Sequence, residues 1–123
     1  MTIVTNLGFP RIGARRELKR ALESYWHGES DAAQLQATAA ELRVRHWKLQ
    51  CEAGVELPPS NDFSLYDHVL DTAFLFDAIP ERYRALAVCA PLAAYFAMAR
   101  GLQRPGIDLH ALEMTKWFDT NYH

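Results

Sequence analysis

The chain has 123 residues, half of them apolar, and a formal charge of -2, which is the size and make-up of one ordinary domain with one core. That balance excludes wholesale nucleic-acid binding, which needs a net basic surface or stripe. The apolar run around Leu86–Ala99 is too short to span a bilayer and contains Pro91, and no apolar signal segment follows Met1, so a cytoplasmic protein with no membrane partner is expected.

The segment Thr2–Phe9 reads as a short strand, with Ile3, Val4 and Leu7 as its apolar residues and Asn6 and Gly8 interrupting it. Pro10 and Gly13 bracket a turn that must run close to backbone or ligand. A first helix is expected from Ala14 to about His27, burying Ala14, Leu18, Leu22 and Tyr25, with Gly28 as its stop. Arg15, Arg16, Lys19 and Arg20 crowd its beginning, against the helix macrodipole and with like charges four residues apart. Two readings of that cluster stand: a solvated basic face, or cations placed beside free backbone N–H groups to hold a multiply anionic ligand.

Ser30 is the expected cap of a second helix reaching Ala53, with Leu35, Ala39, Leu42, His46, Leu49 and Ala53 on one side and Gly54 after it. His46 on that apolar side reads as a hydrogen-bonded core or boundary histidine. Val55–Leu57 reads as a second strand, ended by Pro58 and Pro59. A third helix is expected from Phe63 or Tyr66 to Phe76, capped by Asp62 or Ser64 and buried over much of its surface. Asp67 and Asp71 share a face of it and read as capping, solvated or hydrogen-bonded carboxylates before an acid/base pair. Two Ala-rich helical pieces flank Pro91, Gly101–Gly106 is a loop, and Trp117, Phe118 and Tyr122 favour a terminal strand.

This order of strands and helices implies an α/β fold with parallel strands joined by helical crossovers. Only about three strands can be found, so the chain is expected to be the first part of a larger α/β domain, or else a small domain completed by partner or dimer contacts. Lys116 would lie at the end of a parallel strand, where ligands collect in such folds, and join Arg16 and Lys19 in one anion clamp. Cys51 and Cys89 read as free, buried thiols. No Cys-x-x-Cys, His-Glu-x-x-His, phosphate-loop or Gly-x-Ser-x-Gly motif occurs.

Four blocks carry a resemblance: LGFPRIGARRELK at 7–19, ELRVRHWK at 41–48, SNDFSLYDHVLD at 60–71 and EMTKWFDTNYH at 113–123. Their sequence and order closely resemble the N-terminal part of cobalamin-independent methionine synthase. The resemblance implies a partial (β/α) barrel over residues 1–123, the N-terminal strands and helices of a larger barrel domain. It implies a methyltransferase that moves a methyl group from 5-methyltetrahydropteroyltriglutamate to homocysteine. It also implies that Arg16, Glu17, Leu18 and Lys19, with Lys116, bind the folate polyglutamate tail. Zinc and homocysteine belong to the family's C-terminal barrel, so no metal ligand, no resident cofactor and no catalytic residue is expected in this chain, and alone it is expected to be inactive. Self-association or docking to the missing part would cover its open sheet edges. Against this stand a free-standing anion- or folate-binding module without catalysis and a structural partner protein that completes another chain's sheet.

Overall fold

A computed structural model describes residues 1–113. It divides into two compact units, Met1–His68 and Val69–His123, each a mixture of helix and extended chain.

In the first unit, α1 (Glu17–Trp26) packs on α2 (Ala32–Glu52). Leu18 and Leu22 of α1 and Leu35, Ala39 and Leu42 of α2 are buried, the i, i+3/i+4 pattern of facing helical stripes. The stripe on α2 continues through His46 to Gln50, whereas Leu49 and Ala53 are exposed. A polar tie explains that shift: Gln50 Oε1 accepts from the Asn6 amide at 2.9 Å, and Gln50 Nε2 donates to the His46 carbonyl at 3.1 Å. Asp31, not Ser30, caps α2, in a reciprocal box with Gln34: its side chain accepts the Gln34 N–H at 2.8 Å while Gln34 Oε1 accepts the Asp31 N–H at 2.9 Å. Gly28 and Gly54 close the two helices as expected. After α2, Gly54 N–H reaches the Cys51 carbonyl and Val55 N–H the Gln50 carbonyl, a pairing that requires the left-handed backbone at Gly54, φ 91°.

The expected strands Thr2–Phe9 and Val55–Leu57 shrink to one parallel bridge, Thr5 to Leu57. The Val4 carbonyl accepts from the N–H groups of Glu56 and Leu57, and Thr5 Oγ1 donates to the Leu57 carbonyl at 3.0 Å. Pro58 and Pro59 offer no N–H with which to extend the ladder. The direction of pairing is the expected one, with α1 and α2 forming the crossover between the two segments.

In the second unit, α3 runs only from His68 to Leu75. The expectation of a broadly buried helix fails: Leu70 is buried, while Val69, Leu75 and Phe76 are 70%, 74% and 76% exposed. Asp77 in the left-handed region, φ 55°, ends it, with Asp77 N–H on the Phe74 carbonyl and Ala78 N–H on the Ala73 carbonyl. The Arg84 guanidinium holds Asp77 through both carboxylate oxygens at 2.6 Å and through its carbonyl at 3.1 Å. Helices α4 (Glu81–Cys89) and α5 (Pro91–Arg100) pack together, with Pro91 in the first turn of α5 as its missing N–H allows. Tyr83, Ala94, Tyr95, Phe96, Ala97 and Met98 form this unit's core. Tyr83 OH donates to the His110 carbonyl, and Tyr95 OH donates to Asp71 Oδ1 at 2.7 Å, so the Asp71 carboxylate is hydrogen-bonded.

The expected loop at Gly101–Gly106 is instead part of an antiparallel hairpin, β1 (Leu102–Arg104) and β2 (Ile107–Leu109), joined by Pro105 and Gly106. Among the described residues it is the only sheet, and it is not the parallel one expected. The expected terminal strand, with Trp117, Phe118 and Tyr122, and Lys116 lie outside the described residues. Cys51 and Cys89 are free and exposed rather than buried, because each falls on the outer side of its helix.

Candidate functional site

The basic cluster is organised by the turn that precedes α1. Arg16 N–H donates to the Gly13 carbonyl at 3.0 Å and Leu18 N–H to the Ile12 carbonyl at 3.1 Å. Between them Arg16 takes the left-handed conformation, φ 59° and ψ 36°, which costs a non-glycine residue about 1 kcal/mol. The helix therefore starts at Glu17 rather than Ala14, and Ala14, Arg15 and Arg16 lie ahead of it. Arg15 and Arg16 thus stand outside the helical face on which like-charge pairs with Lys19 and Arg20 were expected. Instead Arg20 reaches back to donate to the Arg15 carbonyl at 2.9 Å.

Glu17 occupies the position where a free anion site was expected. Its Oε2 accepts the Arg15 N–H at 2.9 Å, and its Oε1 lies 2.7 Å from the Arg45 guanidinium of α2. Its own backbone N–H above all holds the carboxyl down at about 2; burial, the next largest influence, pushes the other way, and Arg45 and Arg15 add to the lowering. The N–H groups of Arg15, Glu17 and Leu18 are thus used within the chain, so the helix start is not an empty cradle. Gly13 is required beside it. At φ 87° an added Cβ would stand 2.3 Å from Glu17 Oε2 and 3.1 Å from Leu42 Cδ2.

The cations remain outside this latch. Arg15, Arg16, Lys19 and Arg20 are all exposed. Lys19 Nζ is 3.5 Å from Glu23 in a pair whose side chains are both nearly half exposed, a contact too weak to tie up its charge. Leu18 points the other way and is fully buried. Of the five residues expected to bind an anion, Arg16 and Lys19 present charge to solvent, Glu17 faces the backbone and Arg45, Leu18 anchors α1, and Lys116 is outside the described residues.

A cavity of about 400 Å³ opens beside this turn, lined by residues 7–11 with Asn61, Asp62 and His68. Residues 7–11 follow Thr5 and Asn61–Asp62 follow Leu57, so the cavity lies beyond the carboxyl ends of the parallel bridge. Its walls are tied by Phe9 N–H donating to Asp62 Oδ2 at 2.8 Å and by Arg11 donating to the Tyr66 carbonyl at 3.0 Å. A larger hollow of about 580 Å³ runs along the outer face of α2 past Val44 and Leu49. Its charges balance, Glu41 and Glu52 against Arg45 and Lys48, so it offers an anion no net attraction.

His46 is a boundary histidine, as expected, with its ring 4.9 Å from Phe9. Burial, then Arg45, pushes its pKa down, against Glu17 and Asp62. Among the described residues no three His, Cys, Asp or Glu side chains converge to hold a metal ion, so these residues do not fit the zinc that the resemblance brings with it. The close approach expected at Gly13 is made by Glu17 and Leu42. Arg45 escaped the reading of the sequence, because it meets Glu17 from 28 positions away.

Residues 3–123 match the family model described as the N-terminal domain of cobalamin-independent synthase. Over its full length the chain is 83% identical to the 5-methyltetrahydropteroyltriglutamate–homocysteine methyltransferase of Xylella fastidiosa strain 9a5c. It is 56% identical to the protein of that name in Bifidobacterium animalis subsp. lactis, and 55% identical, over 95% of the chain, to a probable one in Schizosaccharomyces pombe. The chain spans about 16% of the length of each of these relatives. It belongs to the cobalamin-independent synthase family, within that family's N-terminal domain.

Proposed function

We propose that this chain supplies the tail-binding wall of a methyltransferase that moves the methyl group of 5-methyltetrahydropteroyltriglutamate to the sulfur of homocysteine, giving methionine and the demethylated folate. The reaction and its two substrates come from the names of the relatives. The observation that carries the local role is the pair of exposed cations, Arg16 and Lys19, on a turn whose backbone is pinned by Glu17 and whose leucine is sunk in the core.

The chemistry suits a polyglutamate. Its carboxylates repeat along a flexible tail, and they are best held by an arginine fork beside a mobile lysine charge. Arg15 and Arg20 extend the field, and Lys116 is the third cation of the clamp in this proposal. Exposed ion pairs contribute only about 0.2–1 kcal/mol each, so three of them give a tail preference of about tenfold rather than a tight site. The tail would fix the pterin end in register, while activation of the homocysteine thiol belongs to residues outside those described. Parallel pairing of Thr5 with Leu57 across a helical crossover supports a place among the first strands and helices of a (β/α) barrel. A cytoplasmic location goes with this reading. No helix among the described residues is long and apolar enough to cross a membrane.

Calorimetry with the triglutamate and monoglutamate forms of 5-methyltetrahydrofolate tests the clamp. The triglutamate should bind about tenfold tighter at low salt, with the gap closing as salt is added. Arg16→Gln with Lys19→Gln should remove most of it, leaving the share of Lys116. Equal affinity for both forms, or a preference untouched by the double substitution, refutes the clamp.

A further inference from the structure

We propose that Arg45 is a positioning residue: through Glu17 it locks Arg16 into the left-handed conformation that aims its guanidinium outward. The inference rests on the tail-clamp reading above and extends it to residues that carry no charge to the ligand.

Three observations converge. First, the hydrogen bond from Arg15 N–H to Glu17 Oε2 closes a ring of chain with Arg16 at its middle, so the Glu17 carboxylate restrains the dihedrals of Arg16 along with those of Arg15. Second, that carboxylate has its other oxygen 2.7 Å from Arg45, and Arg45 stands on the long, capped helix α2. The latch thus ties a strained turn to a rigid element, the arrangement by which an unfavourable φ is maintained. Third, Gly13 leaves the space that the carboxylate fills, since a Cβ there would overlap Glu17 Oε2.

Arg45 has a second consequence. An unpaired carboxylate one residue from Arg16 would repel an incoming polyanion. The Arg45 guanidinium neutralises it, so the outward field is set by Arg15, Arg16, Lys19 and Arg20. Glu17 therefore serves the tail site without touching the tail, and Arg45 belongs to the same device although it lies on another helix.

The test uses the 123-residue chain and two readouts. The amide–Hα coupling and Cα shift of Arg16, measured without ligand, report its φ. Calorimetry with the triglutamate and monoglutamate folates reports the tail preference. Arg45→Met and Glu17→Gln should move the Arg16 signals toward right-handed values and reduce the preference about twofold, the share of one exposed pair, with far-ultraviolet dichroism retained. Arg45→Lys should restore most of both, a rescue that a purely structural role in α2 would not produce. Unchanged Arg16 signals in both Arg45→Met and Glu17→Gln overturn the proposal, and so does failure of Arg45→Lys to rescue. If Arg16→Gln with Lys19→Gln leaves the preference intact, the clamp itself is wrong, and the Arg16 signals still decide the positioning role.

Discussion

Phe9 and Asp62 are joined by a hydrogen bond of 2.8 Å from the Phe9 N–H to Asp62 Oδ2, across 53 positions of sequence. The bond links the two stretches that follow the parallel bridge and sets the width of the cavity between them. Asp62→Ala leaves a half-buried N–H without its acceptor and should cost about 1–3 kcal/mol of stability, whereas Asp62→Asn, which keeps an oxygen, should cost less than about 1 kcal/mol. Urea denaturation followed by tryptophan fluorescence checks the order; equal losses would show that the bond does not organise the loop.

Acid should destabilise the first unit in two stages. His46 is held below its ordinary value of 6.5, so the folded unit resists a proton that the unfolded chain accepts. Its contribution is intact above 6.5 and declines as the pH falls below that value. Glu17 is held at about 2 against an ordinary 4.5, so its contribution is intact above 4.5 and is lost as the pH falls toward 2. Denaturation midpoints taken between pH 8 and pH 2.5 should show both declines. His46→Phe should flatten the upper one and Glu17→Gln the lower one; a Glu17→Gln profile identical to the parent's below pH 4.5 would contradict the latch.

Gly13→Ala should be severe, for Gly13 is buried in its turn. It combines a left-handed backbone with an approach of 2.3 Å to the Glu17 carboxylate and a tight contact on Leu42. A loss of at least about 2 kcal/mol is expected, against about 1 kcal/mol for the backbone alone. Gly28→Ala is the internal control, with φ 76° and open space around the added methyl, and should cost only the backbone share. Thermal melts of the two variants separate these contributions.

The fully buried Leu18 bears on the other side of the same motif. Leu18→Ala should lower stability by about 2–5 kcal/mol, and any loss of folate binding should track the unfolded fraction. Lys19→Gln should do the reverse, leaving the melting temperature within a degree or two and weakening the tail preference.

If the zinc and homocysteine site lies outside these 123 residues, as the family resemblance implies, purified chain supplied with zinc, homocysteine and 5-methyltetrahydropteroyltriglutamate should yield no methionine. Methionine formation above the protein-free blank, measured by mass spectrometry, would overturn that assignment.

Much of this molecule is written locally. The ends of α1 and α2 follow from Gly28 and Gly54, the start of α5 from Pro91, and the buried stripe from leucines at helical spacing, because each depends on residues within a turn or two of one another. The four charged side chains near α1 and the family blocks are equally legible, since both are matters of residue order. What the order of residues could not convey is direction. Arg16 and Glu17 are neighbours, yet one faces water and the other the backbone, because a single left-handed residue reverses the course of the chain. The pairing of Glu17 with Arg45, the tie of Phe9 to Asp62 and the exposure of α3 depend on which distant groups arrive alongside. That is settled by packing and hydrogen-bond satisfaction over the folded unit, and no local pattern encodes it.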